Sequence, residues 1–197
     1  MVAIRHKESG EILYEAREEQ LREADLLFRK LPRAQLAQTQ LDRVLFIGAD
    51  LSEASLSGAS LENALMSDTN LQGADLSLCL LSWADLQKSN LRGAVMDGSI
   101  LVDADLRGAD LSEASMSWAM LVGANLSGAS LQNACLYGAN LLHANLQGTN
   151  LAQADLTGAN LAEVIYDEMT MWPEGFDPGI YRSMEGNLPD ETEGPSS

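Results

Sequence analysis

Few residues in this chain have the chemistry for catalysis. There are two histidines, His6 and His143, and two cysteines, Cys79 and Cys135, in 197 residues. Catalysis needs titratable groups that converge on a pocket. The sequence has no glycine-rich phosphate loop leading into a helix and no Cys/His spacing of a metal site. One oxygen-rich pattern remains: Asp50, Asn70, Asn90, Asp110 and Asn150 recur at multiples of 20 residues. Such a column would suit a cation if its oxygens were dense. Here carboxylates alternate with neutral amides, and Ser130 fills the remaining place, so no oxygen cage is implied. A solvated ladder of short polar side chains is the expected use. No catalytic residue, metal site or cofactor is expected.

The elements that would position such residues follow from one repeat. From Leu21 to Leu161, 25 of the 29 residues at five-residue intervals are Leu; Phe46, Met66, Met96 and Met116 fill the rest. Two residues before each, 20 of 28 positions are Ala, and Thr39, Thr69, Cys79, Ser89, Ser99 and Thr149 are also small; Val44 and Arg29 are larger. A strand would send residues five apart to opposite faces. A helix would rotate them by roughly 140° and smear Leu around its barrel. The pattern is buried only if each pentad forms one side of a square coil, with Leu and Ala inward. Four sides make about 20 residues per coil, and coils stack at about the 4.8 Å strand spacing.

The repeats A-D-L-S-E, A-S-L-S-G, A-N-L-S-G and A-D-L-T-G resemble those of pentapeptide-repeat proteins. The resemblance implies an all-β fold, a right-handed quadrilateral β-helix, over residues 21–165. Those 145 residues make about seven coils, roughly 35 Å tall. Before them, residues 1–20 contain a candidate β-hairpin around Ser9–Gly10, read as an N-terminal cap over the open coil edge. Residues 16–31 carry the pentad phase but lack helix breakers, so an irregular first coil competes with an amphipathic helix. Residues 166–184 carry Tyr166, Trp172, Phe176 and Tyr181 with Pro173 and Pro178, which suits an aromatic C-terminal cap. Their WPEGFDP stretch resembles a tail of cyanobacterial family members. Residues 185–197 read as a disordered acidic tail.

The net charge of −17, from 29 acidic and 12 basic residues, argues against direct nucleic-acid binding, which needs Lys and Arg to displace phosphate counterions. The opening MVAIRHKESG lacks the apolar segment of a signal peptide, and no run approaches the ~20 apolar residues of a membrane span. A cytoplasmic location is expected, with both cysteines reduced. Cys79 takes an inward position and Cys135 an outward one, about 13 Å apart along the axis.

Sorting outward residues by 20-residue columns isolates one apolar face. Leu80, Ile100 and Met120 precede the inward Leu, and Val102, Val122 and Leu142 follow it. Trp83 lies at its edge; Leu78 and Trp118 share the column across the corner, with Gly98 between them. His143 borders the face as a rim residue. A smaller cluster, Leu45, Leu65 and Ile47, sits on the next face, within possible reach of the cap. Large contiguous apolar patches are rare on monomers. The reading is a non-enzymatic interaction module that binds a protein partner or a second copy through this face. The family resemblance implies an alternative: quinolone-resistance members are acidic rods that imitate DNA and bind a type II topoisomerase, DNA gyrase. This sequence departs from them by diluting its columns with Asn, Ser and Gly and by carrying the apolar face.

Overall fold

The structure, a computed structural model, describes residues 2–16 and 21–181. From Asp25 to Met171, residues before each inward Leu form parallel bridges to the next coil, nearly all at a spacing of 20. All 29 positions of the Leu ladder are buried, from Leu21 to Leu161. The coils wind as a right-handed quadrilateral β-helix. Each bridge is one residue long, so regularity comes from the corners rather than from long strands.

The pentad Asn90–Leu91–Arg92–Gly93–Ala94 shows how. Asn90 N–H donates back to Thr69 O at 2.9 Å, while Leu91 N–H donates forward to Asp110 O at 2.7 Å. Gly93 N–H reaches Ser112 O at 2.9 Å, and Ala94 N–H closes a four-residue turn onto Leu91 O at 3.0 Å. The fifth donor, Arg92 N–H, has no backbone acceptor; the Asn90 side chain takes it at 3.2 Å. A backbone donor without a backbone acceptor gains from a side-chain partner or from water. An Asp or Asn before the Leu supplies the missing acceptor through an Asx turn, which explains the A-D/N-L signature. The corner residue, second after each Leu, has positive φ at every pentad from Glu23 to Glu163, between 54° and 63° in the non-glycine cases. That conformation is disfavoured for L-residues, by roughly 1–2 kcal/mol, and Gly avoids the strain at Gly48, Gly98 and Gly138 among others.

Inward polar groups are also satisfied. Ser89 and Ser99 Oγ donate to Leu86 O and Met96 O at 2.7 and 2.6 Å, within their own coil. Thr69 and Thr149 Oγ1 donate to Phe46 O and Leu126 O of the preceding coil, both at 2.8 Å.

At the N-terminal end, β1 (Val2–His6) and β2 (Ile12–Ala16) pair antiparallel around the Ser9–Gly10 turn. β1 then pairs with β3 (Ala34–Gln35) in the coil, Arg5 opposite Gln35 and His6 opposite Ala34, and Ile4 is buried against the core. Within 16–31 the coil reading prevails from Leu21 onward: Leu21, Leu26 and Leu31 are buried and Asp25 bridges Leu45. Residues 17–20 lie outside the described residues. The first coil is imperfect at Arg29, as its size implies, and one expectation, the cover over Leu45, Ile47 and Leu65, is corrected. Arg29, at an inward register position, turns outward and lies over the Tyr14 ring at 5.2 Å. The guanidinium keeps its hydration there, which the core would deny it. The hairpin docks through Ala34–Gln35, two sides away from Leu45, Ile47 and Leu65, so it does not cover that cluster; Leu65 stays exposed and Phe28 more so.

At the other end the register slips by one, with Asn150 bridging Met171. Asp167 makes the slip possible by accepting from Gly148 N–H at 2.9 Å, Met169 N–H at 3.1 Å and the Thr170 hydroxyl at 3.1 Å. These bonds, Gly148 first, hold its carboxyl below the usual range. Trp172 stacks on Phe176 at 5.1 Å and meets Tyr166 edge-on at 5.4 Å, and the three pack against the core. A short 3-10 turn, Pro178–Tyr181, follows. The tail expected over residues 185–197 lies outside the described residues.

Leu91 is fully buried at mid-rod. Leu91→Asp would bury an unpaired charge between coils, at a cost of several kcal/mol against a typical stability of about 5–15 kcal/mol. We expect cooperative melting to be lost in far-UV circular dichroism. A wild-type melt would refute the inward assignment.

Candidate apolar interaction face

The parallel bridges Ser60–Leu80, Leu80–Ile100, Ile100–Met120 and Met120–Asn140 place three apolar residues in one vertical column. The same coil period stacks Val102, Val122 and Leu142 beside it. Leu78 is 65% exposed, Trp118 63% and Trp83 57%, and Leu80 and Met120 are also exposed. Ile100, Val102, Val122 and Leu142 are half-buried, as residues in a stacked column must be. All nine residues named from the sequence therefore meet on one face and its two corners.

This face differs from the others in the side chains that it displays. Leu78, Trp83 and Trp118 occupy corner positions with φ of 57°, 58° and 62°. Every corner shares that conformation, which bulky residues adopt less readily than Gly. In addition, Leu80, Ile100 and Met120 stand where many pentads place Asp or Asn, as Leu45, Leu65, Val95 and Cys135 also do. They cannot accept the N–H of Ser82, Val102 and Val122, as Asn90 accepts that of Arg92. Three successive coils thus give up an Asx turn at the same face.

Corner side chains lean toward the next coil. Leu78 lies on Gly98, where an added Cβ would meet its Cδ2 at 2.9 Å. Trp118 lies on Gly138, where a Cβ would meet the indole at 2.6 Å. Tyr137 closes on Trp118 edge-on at 5.4 Å and is itself exposed. The bulky/Gly alternation lets large rings lie flat on the rod with fixed orientation. Sequence reasoning missed Tyr137; the signal was its place in the column after Leu136, one coil beyond Ser117 and next to Trp118. His143 pairs with Glu163 at 3.2 Å, on the rim.

The oxygen column is a ladder. Asn70 Nδ2 donates to Asp50 Oδ1 at 3.0 Å and Asn90 Nδ2 to Asn70 Oδ1 at 3.1 Å, while the same Oδ1 atoms accept N–H from Ser52 and Gln72. Its oxygens are engaged in amide hydrogen bonds. The thiols differ in surroundings. Cys79 donates to Leu56 O at 3.0 Å, and burial pushes its pKa up to about 12. Cys135 is half-buried, 3.3 Å from Ser117 Oγ; both cysteines are free.

Known proteins resemble this chain. The family model for pentapeptide repeats matches residues 20–58, 45–82, 79–117, 89–128, 109–141 and 124–162. No curated protein sequence matches. Among solved structures, the pentapeptide repeat protein Rfr23 from the cyanobacterium Cyanothece 51142 is 41% identical over 50% of this chain, which spans 63% of Rfr23, with a TM-score of 0.33. HetL, a pentapeptide repeat protein involved in heterocyst differentiation regulation in Nostoc sp. strain PCC 7120, is 31% identical over 76% of this chain and 89% of its own, with a TM-score of 0.28. QnrB1, a plasmid-mediated fluoroquinolone resistance protein, is 20% identical over 73% of this chain and 90% of its own, with a TM-score of 0.43.

Two outcomes test the face geometry. A thiol reagent should modify one cysteine, Cys135, in the native protein, and Cys79 only on unfolding; two fast thiols would place Cys79 outside the core. The triple change Leu80→Asn, Ile100→Asn and Met120→Asn should restore three Asx turns, each bond being worth about 1 kcal/mol, against the lost apolar contact. We expect a melting temperature within about 5 °C of wild type or above it. A fall of more than about 10 °C would mean that the apolar column holds the coils together.

Proposed function

The chain belongs to the pentapeptide-repeat family of right-handed quadrilateral β-helices, and from that premise we propose that it is a protein-binding module without enzymatic activity. Its contact surface is the apolar face from Leu78 to Leu142, offered to a protein partner or to a second copy. The supporting observation is that three consecutive coils stack Leu80, Ile100 and Met120 in one outward column, where pentads such as Asn90–Ala94 gain a hydrogen bond from Asp or Asn. A side chain that costs local stability and is displayed to solvent is best explained by what it touches. Trp118, braced by Tyr137 and Gly138, is the anchor, because an ordered ring loses little entropy on binding.

A second reading is an acidic rod that stands in for duplex DNA on a type II topoisomerase. The net charge of −17 favours it. Against it, Arg33–Glu53, Arg43–Glu23, Arg92–Glu113 and Arg107–Asp105 pairs neutralise part of that charge on the coils. The bridged column Asp105–Asn125–Asn145 also replaces carboxylates with amides.

The double change Ile100→Lys and Met120→Lys should leave the far-UV spectrum and melt near wild type, since the Leu core is untouched. It should abolish partner capture or self-association measured by sedimentation, because two charges would need desolvation in the contact. Capture equal to wild type would remove the face from the interface. In a gyrase supercoiling assay, micromolar protein should leave activity unchanged; inhibition would favour the DNA-mimic reading.

A further inference from the structure

We propose that the occupant of this face is a cationic amphipathic helix of a partner protein, lying along the rod axis; the inference rests on the interaction-face reading above. Spacing supports a helix. Leu80, Ile100 and Met120 are stacked by successive bridges, so two coil steps span about 9.6 Å. Two helical turns span about 10.8 Å, close enough for one apolar residue per turn to meet one coil. Alternate residues of a strand over the same two steps span roughly 13 Å and fall out of register. Trp83 and Trp118 stand at opposite edges of the strip and toward opposite ends, so they flank a narrow rod-shaped ligand.

Charge supports a cationic partner. Glu62 stands in the column of Val102 and Val122, at the N-terminal end of the strip, and Asp103 sits on the corner beside Val102 with its carboxylate over Gly123. Neither has a basic partner among the described residues. Several acidic groups elsewhere on the coils, such as Glu53, Asp105 and Glu113, do have arginines. A second copy would bring the same carboxylates, and a net charge of −17, against these. Like charges in a contact are costly, and opposite ones speed and orient docking.

The probe is a fluorescent Leu/Lys peptide of about 14 residues, roughly four turns, with its leucines on one helical face. Controls are a scramble of equal composition and a Leu/Glu counterpart, each titrated into the full chain by anisotropy. The amphipathic Leu/Lys peptide should bind about 10-fold tighter than its scramble. Glu62→Gln with Asp103→Asn should weaken it about five-fold, and added salt should do likewise. The wild type alone should sediment as a monomer. Equal binding of the scramble or of the Leu/Glu peptide, no loss in the Gln/Asn variant, or a wild-type dimer dispersed by Ile100→Lys with Met120→Lys would each overturn the cationic helix while leaving the face intact. Binding of the Leu/Lys probe that survives the Ile100→Lys with Met120→Lys change, in protein of unchanged circular dichroism, would overturn the face itself.

Discussion

Each pentad turns its corner through a residue with positive φ, and the rest of the rod depends on that conformation recurring at every corner. The turn closes through Ala N–H to Leu O, as at Ala94 and Leu91, and directs the next side at the core again. A single corner of this kind is unfavourable for most residues. Repetition makes it tolerable, because every corner is held by hydrogen bonds to the coils before and after it, and by Leu buried between them. Rigidity here is a collective property of the stack. No individual bridge, each one residue long, would supply it.

This accounting also explains why the surface is free to vary. Of the five N–H donors in a pentad of the interior coils, four go to backbone carbonyls whatever the side chains are. Only the donor after the Leu depends on a side chain, chiefly the Asp or Asn before it. Outward positions therefore carry about one hydrogen bond's worth of structural demand per pentad, roughly 1 kcal/mol. A rod with so little invested in its exterior can devote a whole side to binding. The apolar column at Leu80, Ile100 and Met120 is what such a reassignment looks like.

Much of the fold was legible because its period is incompatible with either common element. Leu every fifth residue leaves one burial solution, and the buried ladder from Leu21 to Leu161 follows it. The apolar face was legible for the same reason: twenty-residue columns bring Leu80 beside Ile100 without any tertiary guesswork. What was not legible depended on directions rather than positions. Arg29 occupies an inward register place, yet its long side chain escapes to Tyr14, which the period cannot report. The hairpin's docking side, at Ala34–Gln35, is set by strand pairing that leaves no mark in the repeat. Tyr137 was overlooked because its partnership with Trp118 runs diagonally between columns, across a corner whose tilt is a backbone property.

The one-residue slip between Asn150 and Met171 has a consequence for how long this rod can be. Inserting or deleting a full coil upstream would preserve every column and merely change the height, so length is otherwise unconstrained by the repeat. The extra residue, pinned by Asp167 through Gly148, Met169 and Thr170, breaks that translational symmetry. Beyond it, a further pentad would present its leucine out of phase with the ladder beneath. The slip acts as punctuation: it ends the tally of coils within the chain and leaves Trp172 and Phe176 to close the top. A polymer with an open-ended period thereby acquires a defined molecular length.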